Sequence, residues 1–334
     1  MTKPTILVTG GAGFIGSQVC KTLAAAGFLP VAYDNLSNGY AWAVRWGPLE
    51  RGDLRDGAGL RDVLRRHRPA AVMHFAALIE VGESVRDPAR FYDTNVAGSL
   101  SLLEAMRAEG VDDLIFSSTA AVYGMPAHTP VVETLPLRPI NPYGVTKMVI
   151  ESMLADYAAA YGLRFGTLRY FNAAGGDPEA DIGEAHDPES HLIPLVLDVA
   201  LGVRPEIAIF GDDYPTPDGT CVRDYIHVCD LARAHLLALR RLLDGGESLT
   251  VNLGNGAGHS VREVIETARR VTGHPVPARL APPRPGDPPV LVADCARAVA
   301  DLGWRQERAA LDVIVADAWR WRQRWRASPP VDAR

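Results

Sequence analysis

Short runs of β-branched and apolar residues recur at Thr5–Thr9, Pro30–Tyr33, Ala71–Phe75, Leu114–Ser117 and Arg164–Arg169, with helical stretches between them. Such alternation predicts an α/β fold in which parallel strands are joined by crossover helices on both faces of one sheet. The expected architecture is a Rossmann-type, doubly wound parallel sheet. After about residue 173 the pattern loosens into a loop-rich stretch, Gly175–His191, followed by proline-rich pieces around Pro215–Asp218 and Pro282–Pro289. We therefore expect a first domain over residues 1–172 and a smaller, discontinuous C-terminal domain that is mainly 173–334. Segments near 223–257 should return to the first, with Tyr225–Val228 and Thr250–Leu253 as strands of the main sheet.

Composition narrows the class. A chain of 334 residues with 47% hydrophobic and 22% charged positions can fill a large core. Its net charge of −6 argues against nucleic acid or an anionic membrane as a partner, since binding there depends on basic side chains. Cys20, Cys221, Cys229 and Cys295 form no C-x-x-C pair and no metal-like cluster with histidine, so no metal is expected. They read as buried thiols in a reducing compartment. Met1-Thr2-Lys3-Pro4 leads into a strand without a signal-type apolar stretch, and no segment reaches 18 uninterrupted apolar residues. The expected location is the cytoplasm.

Between the first strand and a predicted helix lies Thr9-Gly10-Gly11-Ala12-Gly13-Phe14-Ile15-Gly16. It reads as G-x-x-G-x-x-G from Gly10 or G-x-G-x-x-G from Gly11, and either places glycines where backbone must approach a pyrophosphate at a helix N-terminus. Asp34 follows Gly16 by 18 residues at the end of the second strand, where an acid can bind both hydroxyls of an adenosine ribose. Its charge would repel a 2′-phosphate, which favours NAD over NADP. Asp53, in Arg51-Gly52-Asp53-Leu54, suits an adenine contact after the third strand.

Tyr143-Gly144-Val145-Thr146-Lys147 puts a tyrosine four residues before one of only three lysines, the others being Lys3 and Lys21. With ten tyrosines present, chance would produce that spacing about 0.1 times. On a helix the pair shares a face. A free phenol titrates near pH 10, so acting as a base near neutrality costs about 4 kcal/mol. An ammonium about 5 Å away returns roughly 3 kcal/mol at an effective dielectric of about 20. A positively charged nicotinamide ring would add a comparable push.

These residues, together with a set of longer strings, resemble the extended short-chain dehydrogenase/reductase family, and within it the UDP-glucose (UDP-galactose) 4-epimerases. The strings are Thr9–Gly16, Asp34–Leu36, His74–Ala77, Val81–Ser84, Phe116–Gly124, Asn141–Lys147, Leu168–Asn172, Ile209–Thr216, Asp218–His227 and Arg284–Asp287, in order along nearly the whole chain. The resemblance implies reversible inversion of C4 in UDP-glucose and UDP-galactose through a transient 4-keto sugar, with NAD as the cofactor. It makes Tyr143 the base. Lys147 lowers its pKa and holds the nicotinamide ribose, and Thr119 relays the O4 proton.

For the cofactor the resemblance adds to Gly10, Gly13, Gly16, Asp34 and Asp53 the residues Phe14, Ile15, Asn35, Leu36 and Asn38. Leu54, Phe75, Ala76, Ala77, Asn95, Ser117 and Phe171 complete that set with Tyr143 and Lys147. Toward the UDP-sugar it implies Thr119, Tyr143, Asn172, Leu192, Ala208, Ile209, Phe210 and Asp287. Arg223 and Arg284 would grip the diphosphate, where a guanidinium fork matches phosphate oxygens. Sugar-nucleotide dehydratases resemble the chain too, but carry an acidic pair directly after the matching threonine. Here Ala120-Ala121 follows, and two methyl groups cannot protonate a departing hydroxyl.

Three positions depart from the family. Ile79 stands where some epimerases have a lysine near the nicotinamide, and His191 where some have asparagine at a uridine contact. His191 reads equally as a core or capping histidine and as a ligand. Leu291 falls on a pocket-wall position that is larger in some relatives, and the smaller wall here could admit a 2-acetamido group. Rival readings are a UDP-pentose (xylose/arabinose) or UDP-N-acetylhexosamine 4-epimerase and, outside enzymes, an NAD-sensing regulator. Trp319–Arg326 reads as a terminal amphipathic helix with tryptophans inward and arginines outward, in preference to an RNA or membrane stripe. The family also implies a homodimer through helices including Pro88–Glu109 and Tyr143–Tyr161.

Overall fold

The computed structural model describes residues 3–284 and 286–327. Met1 and Thr2, Pro285 of the Arg284–Asp287 string, and positions 328–334 lie outside the described residues. The strands are β1 (Thr5–Thr9), β2 (Leu29–Asp34), β3 (Leu49–Arg51), β4 (Ala71–His74), β5 (Asp113–Thr119), β6 (Arg164–Tyr170), β7 (Asn172–Ala174), β8 (Ile207–Phe210), β9 (Val222–His227), β10 (Leu249–Leu253), β11 (Gly258–Ser260), β12 (Ala278–Ala281) and β13 (Val290–Leu291). The helices are α1 (Phe14–Ala25), α2 (Gly57–His67), α3 (Val81–Arg86), α4 (Pro88–Phe91), α5 (Gly98–Glu109), α6 (Pro142–Tyr161), α7 (Leu192–Ala200), α8 (Val228–Leu243), α9 (Val261–Thr272), α10 (Ala296–Leu302) and α11 (Leu311–Ala327).

Seven strands form one parallel sheet in the order β10-β6-β5-β4-β1-β2-β3. The order reverses between β1 and β4, the place where open α/β sheets bind ligands beyond their strand ends. Period-two alternation along the strands sorts the core onto two faces. Ile6 and Val8 of β1 join Leu23, Met73, Ile115, Leu231 and Leu239 on one side. Leu7 joins Val31, Leu60, Leu103, Phe116, Ile150 and Leu154 on the other.

Thr250–Leu253 enters this sheet through β10, as expected, but Tyr225–Val228 does not. β9 instead pairs with β7, β11 and β13 in a separate sheet, and α8 behind it returns the chain to the main sheet, packing its apolar face beside α1. A third core gathers Ile193, Val196, Leu197, Ile209, Val264, Ile265, Ile314, Val315 and Trp319 from α7, β8, α9 and α11. Residues of this second body, Arg223 and Arg284 among them, share one cavity lining with residues at the C-terminal ends of β2, β5 and β6. The helix over Tyr143–Tyr161 forms as expected, whereas Pro88–Glu109 is α4 and α5 joined by a π-helical stretch, Tyr92–Ala97.

The tryptophan-rich end is α11. Trp319 and Trp321 are buried, and Arg320, Arg324 and Arg326 face outward. Arg322 departs from the expected pattern: its guanidinium is buried and clamps Asp198 of α7 at 2.6 Å, because a bidentate carboxylate compensates the charge there. Among the described residues no helix is long and apolar enough to cross a membrane.

Candidate active site

The loop from β1 into α1 takes its shape from its glycines. Gly10 has φ +72°, and a Cβ there would meet Ala76 N at 2.6 Å, so both backbone conformation and close approach to the end of β4 require glycine. A Cβ on Gly16 would meet Gly10 O at 2.1 Å, which lets α1 start tight against the loop. Gly13, the N-cap of α1, has open space by comparison, with Gly10 O at 3.4 Å as the only contact its Cβ would make. The loop therefore leaves a backbone cradle at a helix N-terminus, facing a cavity of about 730 Å³.

Asp34 ends β2 with its carboxylate oriented by two backbone donors, Ala12 N to Oδ2 at 3.0 Å and Leu36 N to Oδ1 at 2.8 Å. Burial raises its pKa, and those two hydrogen bonds oppose the shift. Each oxygen keeps a lone pair for a further donor, which is what two ribose hydroxyls require. Asp53, also on the cavity, is held by Arg55 at 2.8 Å and by Asn35 Nδ2 at 3.0 Å. The Arg55 hydrogen bonds lead in keeping it well below the usual carboxylate range. This donor and acceptor set fits a dinucleotide with an unphosphorylated ribose.

β5 is buried along its whole length and ends at Thr119, whose hydroxyl oxygen accepts Ala121 N at 3.1 Å and caps the 3₁₀ turn Ala120–Tyr123. α6 begins opposite it. Asn141 caps that helix by accepting Gly144 N at 2.8 Å, and Pro142 occupies the first turn, so Tyr143 and Lys147 project from its N-terminal end. Both line the cavity with Thr119. The Thr119 hydroxyl opposes the upward shift of the Tyr143 phenol. It accepts Ala121 N–H, and its own O–H remains available to donate.

Lys147 Nζ donates to Ser117 O at 2.8 Å and stands 4.9 Å from the centroid of the Phe116 ring. Burial lowers its pKa to about 7, with Glu151 opposing. Burial drives the Tyr143 phenol upward, Tyr170 and Glu80 add to this, and Thr119 opposes it. Desolvation thus works on both members of the pair, raising the phenol and lowering the ammonium, whose Nζ is fixed on the Ser117 carbonyl.

Most expected residues meet at this one cavity. Gly10, Gly13, Phe14, Ile15, Gly16, Asp34, Asn35, Asn38, Asp53, Leu54, Phe75, Ala76, Ala77, Ser117 and Phe171 line it, as do Asn172, Arg223, Arg284 and Asp287. Arg223 is ion-paired with Asp287, and the Arg284 guanidinium stacks on Phe210 at 4.1 Å from the ring centroid. Ile79 and Leu291 also line the cavity.

Leu36, Asn95, Leu192, Ala208, Ile209 and Phe210 are not on the lining. Leu36 serves Asp34 through its backbone. Asn95 is fully buried and pins Leu78, accepting its N–H at 2.8 Å and donating to its carbonyl at 3.0 Å. Leu192 packs against the third core, and Ile209 is buried in it because β8 alternates inward at Ile207 and Ile209. Phe210 acts beneath Arg284. His191 is neither a core residue nor a side-chain cap: it is half-exposed, lines the cavity, and its Nδ1 lies 2.6 Å from Glu184.

Sequence reasoning missed Tyr170, whose hydroxyl lies 2.5 Å from Ser117 Oγ and whose ring lines the cavity beside Tyr143. Its place in the Leu168–Asn172 string, at the end of β6, was the available signal. It also missed Glu184, His186 and Glu189. Their spacing with His191, Glu-x-His-x-x-Glu-x-His, is legible in the sequence.

The chain matches the model of the NAD dependent epimerase/dehydratase family over residues 6–254. It is 53% identical to a UDP-glucose 4-epimerase of Rhizobium meliloti over 97% of this chain and 98% of that protein. Among solved structures it resembles a UDP-glucose 4-epimerase from Brucella ovis in complex with NAD, with a TM-score of 0.93, 51% identity, and coverage of 95% of this chain and 98% of that one. A UDP-glucose 4-epimerase from Stenotrophomonas maltophila with bound NAD and formylated UDP-arabinopyranose gives a TM-score of 0.94 at 45% identity, covering 97% of this chain and 100% of that one.

Proposed function

We propose, from the premise that the chain belongs to the NAD dependent epimerase/dehydratase family, that it interconverts UDP-glucose and UDP-galactose by inverting sugar C4. It is an NAD-dependent epimerase and not a dinucleotide-sensing regulator. The observation that carries the proposal is a single cavity lined at once by the glycine cradle and Asp34, by Tyr143, Thr119 and Lys147, and by Arg223 and Arg284.

Bound NAD would supply a hydride acceptor that returns the hydride to C4 on the other face, and a positive ring charge beside Tyr143. The chain's own residues do the rest. Tyr143 takes the O4 proton and gives it back, with Thr119 placed to relay it. Lys147, its ammonium fixed on the Ser117 carbonyl, would hold the nicotinamide ribose. Asp34 takes the adenosine ribose, Asp53 the adenine side, and Arg223 and Arg284 the diphosphate. Holding the nucleotide firmly and the hexose loosely lets the keto sugar turn over between the two transfers. Ala120 and Ala121 line the cavity without offering a proton, where dehydratases carry an acidic pair.

This division of labour supports assigning residues 1–172, with α8 and β10 as the segments that return, to NAD and mainly 173–334 to the UDP-sugar. A homodimer through α4, α5 and α6 is supported by exposed Tyr92 on the π-helical stretch between α4 and α5, Leu100 on α5 and Tyr161 on α6; light scattering on the eluted protein tests it. A cytoplasmic location rests on the four free cysteines.

A second reading, a UDP-pentose or UDP-N-acetylhexosamine substrate, draws on the arabinopyranose compound in the Stenotrophomonas relative and on Leu291 at the wall. The test is incubation of purified protein with UDP-galactose and no added cofactor. UDP-glucose should form without net nicotinamide reduction. Turnover of UDP-pentoses or UDP-GlcNAc instead would move the assignment to the second reading.

A further inference from the structure

Glu184, His186, Glu189 and His191 bring four donor atoms to within 4.8 Å of one another on the segment that leads into α7. Each histidine turns its Nδ1 toward both carboxylates. His186 Nδ1 lies 3.1 Å from Glu184 Oε1 and 3.9 Å from Glu189 Oε1, while His191 Nδ1 lies 2.6 and 3.4 Å from the same two atoms. A pair of simple ion pairs would match each imidazole with one carboxylate. Four donors on a tetrahedron with bonds of about 2.0–2.1 Å would instead stand roughly 3.3 Å apart, which is the centre of the observed spread.

The surroundings resemble the support that a ligand set needs. Both carboxylate side chains are only 5% exposed. Glu189 Oε1 is oriented by backbone N–H groups of Ser190 at 2.8 Å and His191 at 3.0 Å, and Glu189 Oε2 is buried with no hydrogen-bond partner among the described residues. The backbone of Glu184 is fixed by Trp321 Nε1, which donates to its carbonyl at 2.8 Å. The nearby Arg322 cation is committed to Asp198. Orientation of ligands by an outer layer of hydrogen bonds is characteristic of metal sites.

We propose that these four residues bind one divalent ion of the zinc class. Two imidazoles and two carboxylates supply the nitrogen and oxygen donors that Zn²⁺ takes in tetrahedral sites. Because Glu184, His186 and His191 also line the cavity, the ion fixes one of its walls. It takes no part in the hydride or proton transfers, so the proposal stands or falls separately from the reaction.

The test is Zn²⁺ binding by chelator-stripped, NAD-loaded protein, read as metal content after gel filtration and as the shift in unfolding midpoint. Wild type should take up one equivalent per chain and melt higher. Glu189→Gln, which keeps the shape of the side chain, and His186→Ala should each weaken binding by at least about tenfold while retaining NAD. Wild type that stays metal-free in Zn²⁺, or variants that bind as well as wild type, would overturn the proposal and leave a charge-balanced His–Glu cluster.

Discussion

The Arg169 guanidinium grips the Glu151 carboxylate at 2.6 Å, with both side chains more than nine-tenths out of water. Glu151 also accepts Ser118 Oγ at 2.5 Å, and it stands one helical turn beyond Lys147 on α6. Tyr143, Lys147 and Glu151 thus follow one another at intervals of four along the same face. The ion pair anchors a carboxylate where it opposes the loss of charge that burial imposes on Lys147.

Glu151→Gln should therefore narrow the activity range from the alkaline side. Lys147, already lowered to about 7 by burial, loses the one group that raises it, so its ammonium is lost at lower pH. The alkaline limb of kcat should move down by about one pH unit. The variant should also melt lower, since Arg169 is left buried and uncompensated. A lower melting point with an unmoved limb would reduce Glu151 to a structural role.

Asp34→Ala should release NAD. The carboxylate is positioned by Ala12 N and Leu36 N, and charged hydrogen bonds of this kind contribute about 1.5–3 kcal/mol each. Dissociation constants for NAD measured by equilibrium dialysis should rise by at least about tenfold. Unchanged retention would mean the cradle and Asp53 suffice.

Arg284→Lys should separate binding from chemistry. The planar guanidinium stacks on Phe210 and presents a fork that an ammonium cannot imitate. KM for the UDP-sugar should rise about tenfold with kcat nearly constant, the signature of lost uniform binding. A fall in kcat with KM held would place Arg284 at the reacting carbon.

Acid should unfold the protein partly through buried imidazoles. Burial holds His74 at about 3 and His235 at about 4. Unfolded imidazoles protonate near 6.5, so below that pH the unfolded chain binds more protons and stability falls, until about pH 4 for His235 and about pH 3 for His74. His235, whose Nε2 has no partner among the described residues, can be tested as His235→Leu. The variant's melting temperature should drop less steeply between pH 6.5 and 4 than that of wild type.

Local rules made the dinucleotide half legible. Strand periodicity, the glycine spacing and the acid after β2 are each fixed within a few residues of one another, and Gly10, Gly16 and Asp34 stand where those rules require. Tertiary pairing was not readable in the same way: β9 looks like any buried strand, and nothing within Val222–His227 says that β7, β11 and β13 are its neighbours. The same limit hid Tyr170 and the position of Phe210 beneath Arg284, since both depend on what the folded chain brings alongside. The tyrosine–lysine spacing put both side chains on one helix face, and both line the cavity, but spacing carries no information about the desolvation that acts on them there.

Thr119 and Tyr143 act on the same proton in the proposed cycle, and this has a measurable consequence. Tyr143→Phe should lower kcat by about 10²–10⁴ while leaving NAD bound. Thr119→Val should cost less and Thr119→Ser least, since serine keeps both the hydroxyl and the capping acceptor for Ala121 N. If the threonine works only by passing a proton to the phenol, removing it from an enzyme that already lacks the phenol should change little. The double variant Thr119→Val/Tyr143→Phe should then match Tyr143→Phe alone within a factor of about two, a coupling of the size expected for residues in one hydrogen-bonded unit. Fully additive losses would show that Thr119 contributes through the sugar or the 3₁₀ turn it caps, independently of Tyr143.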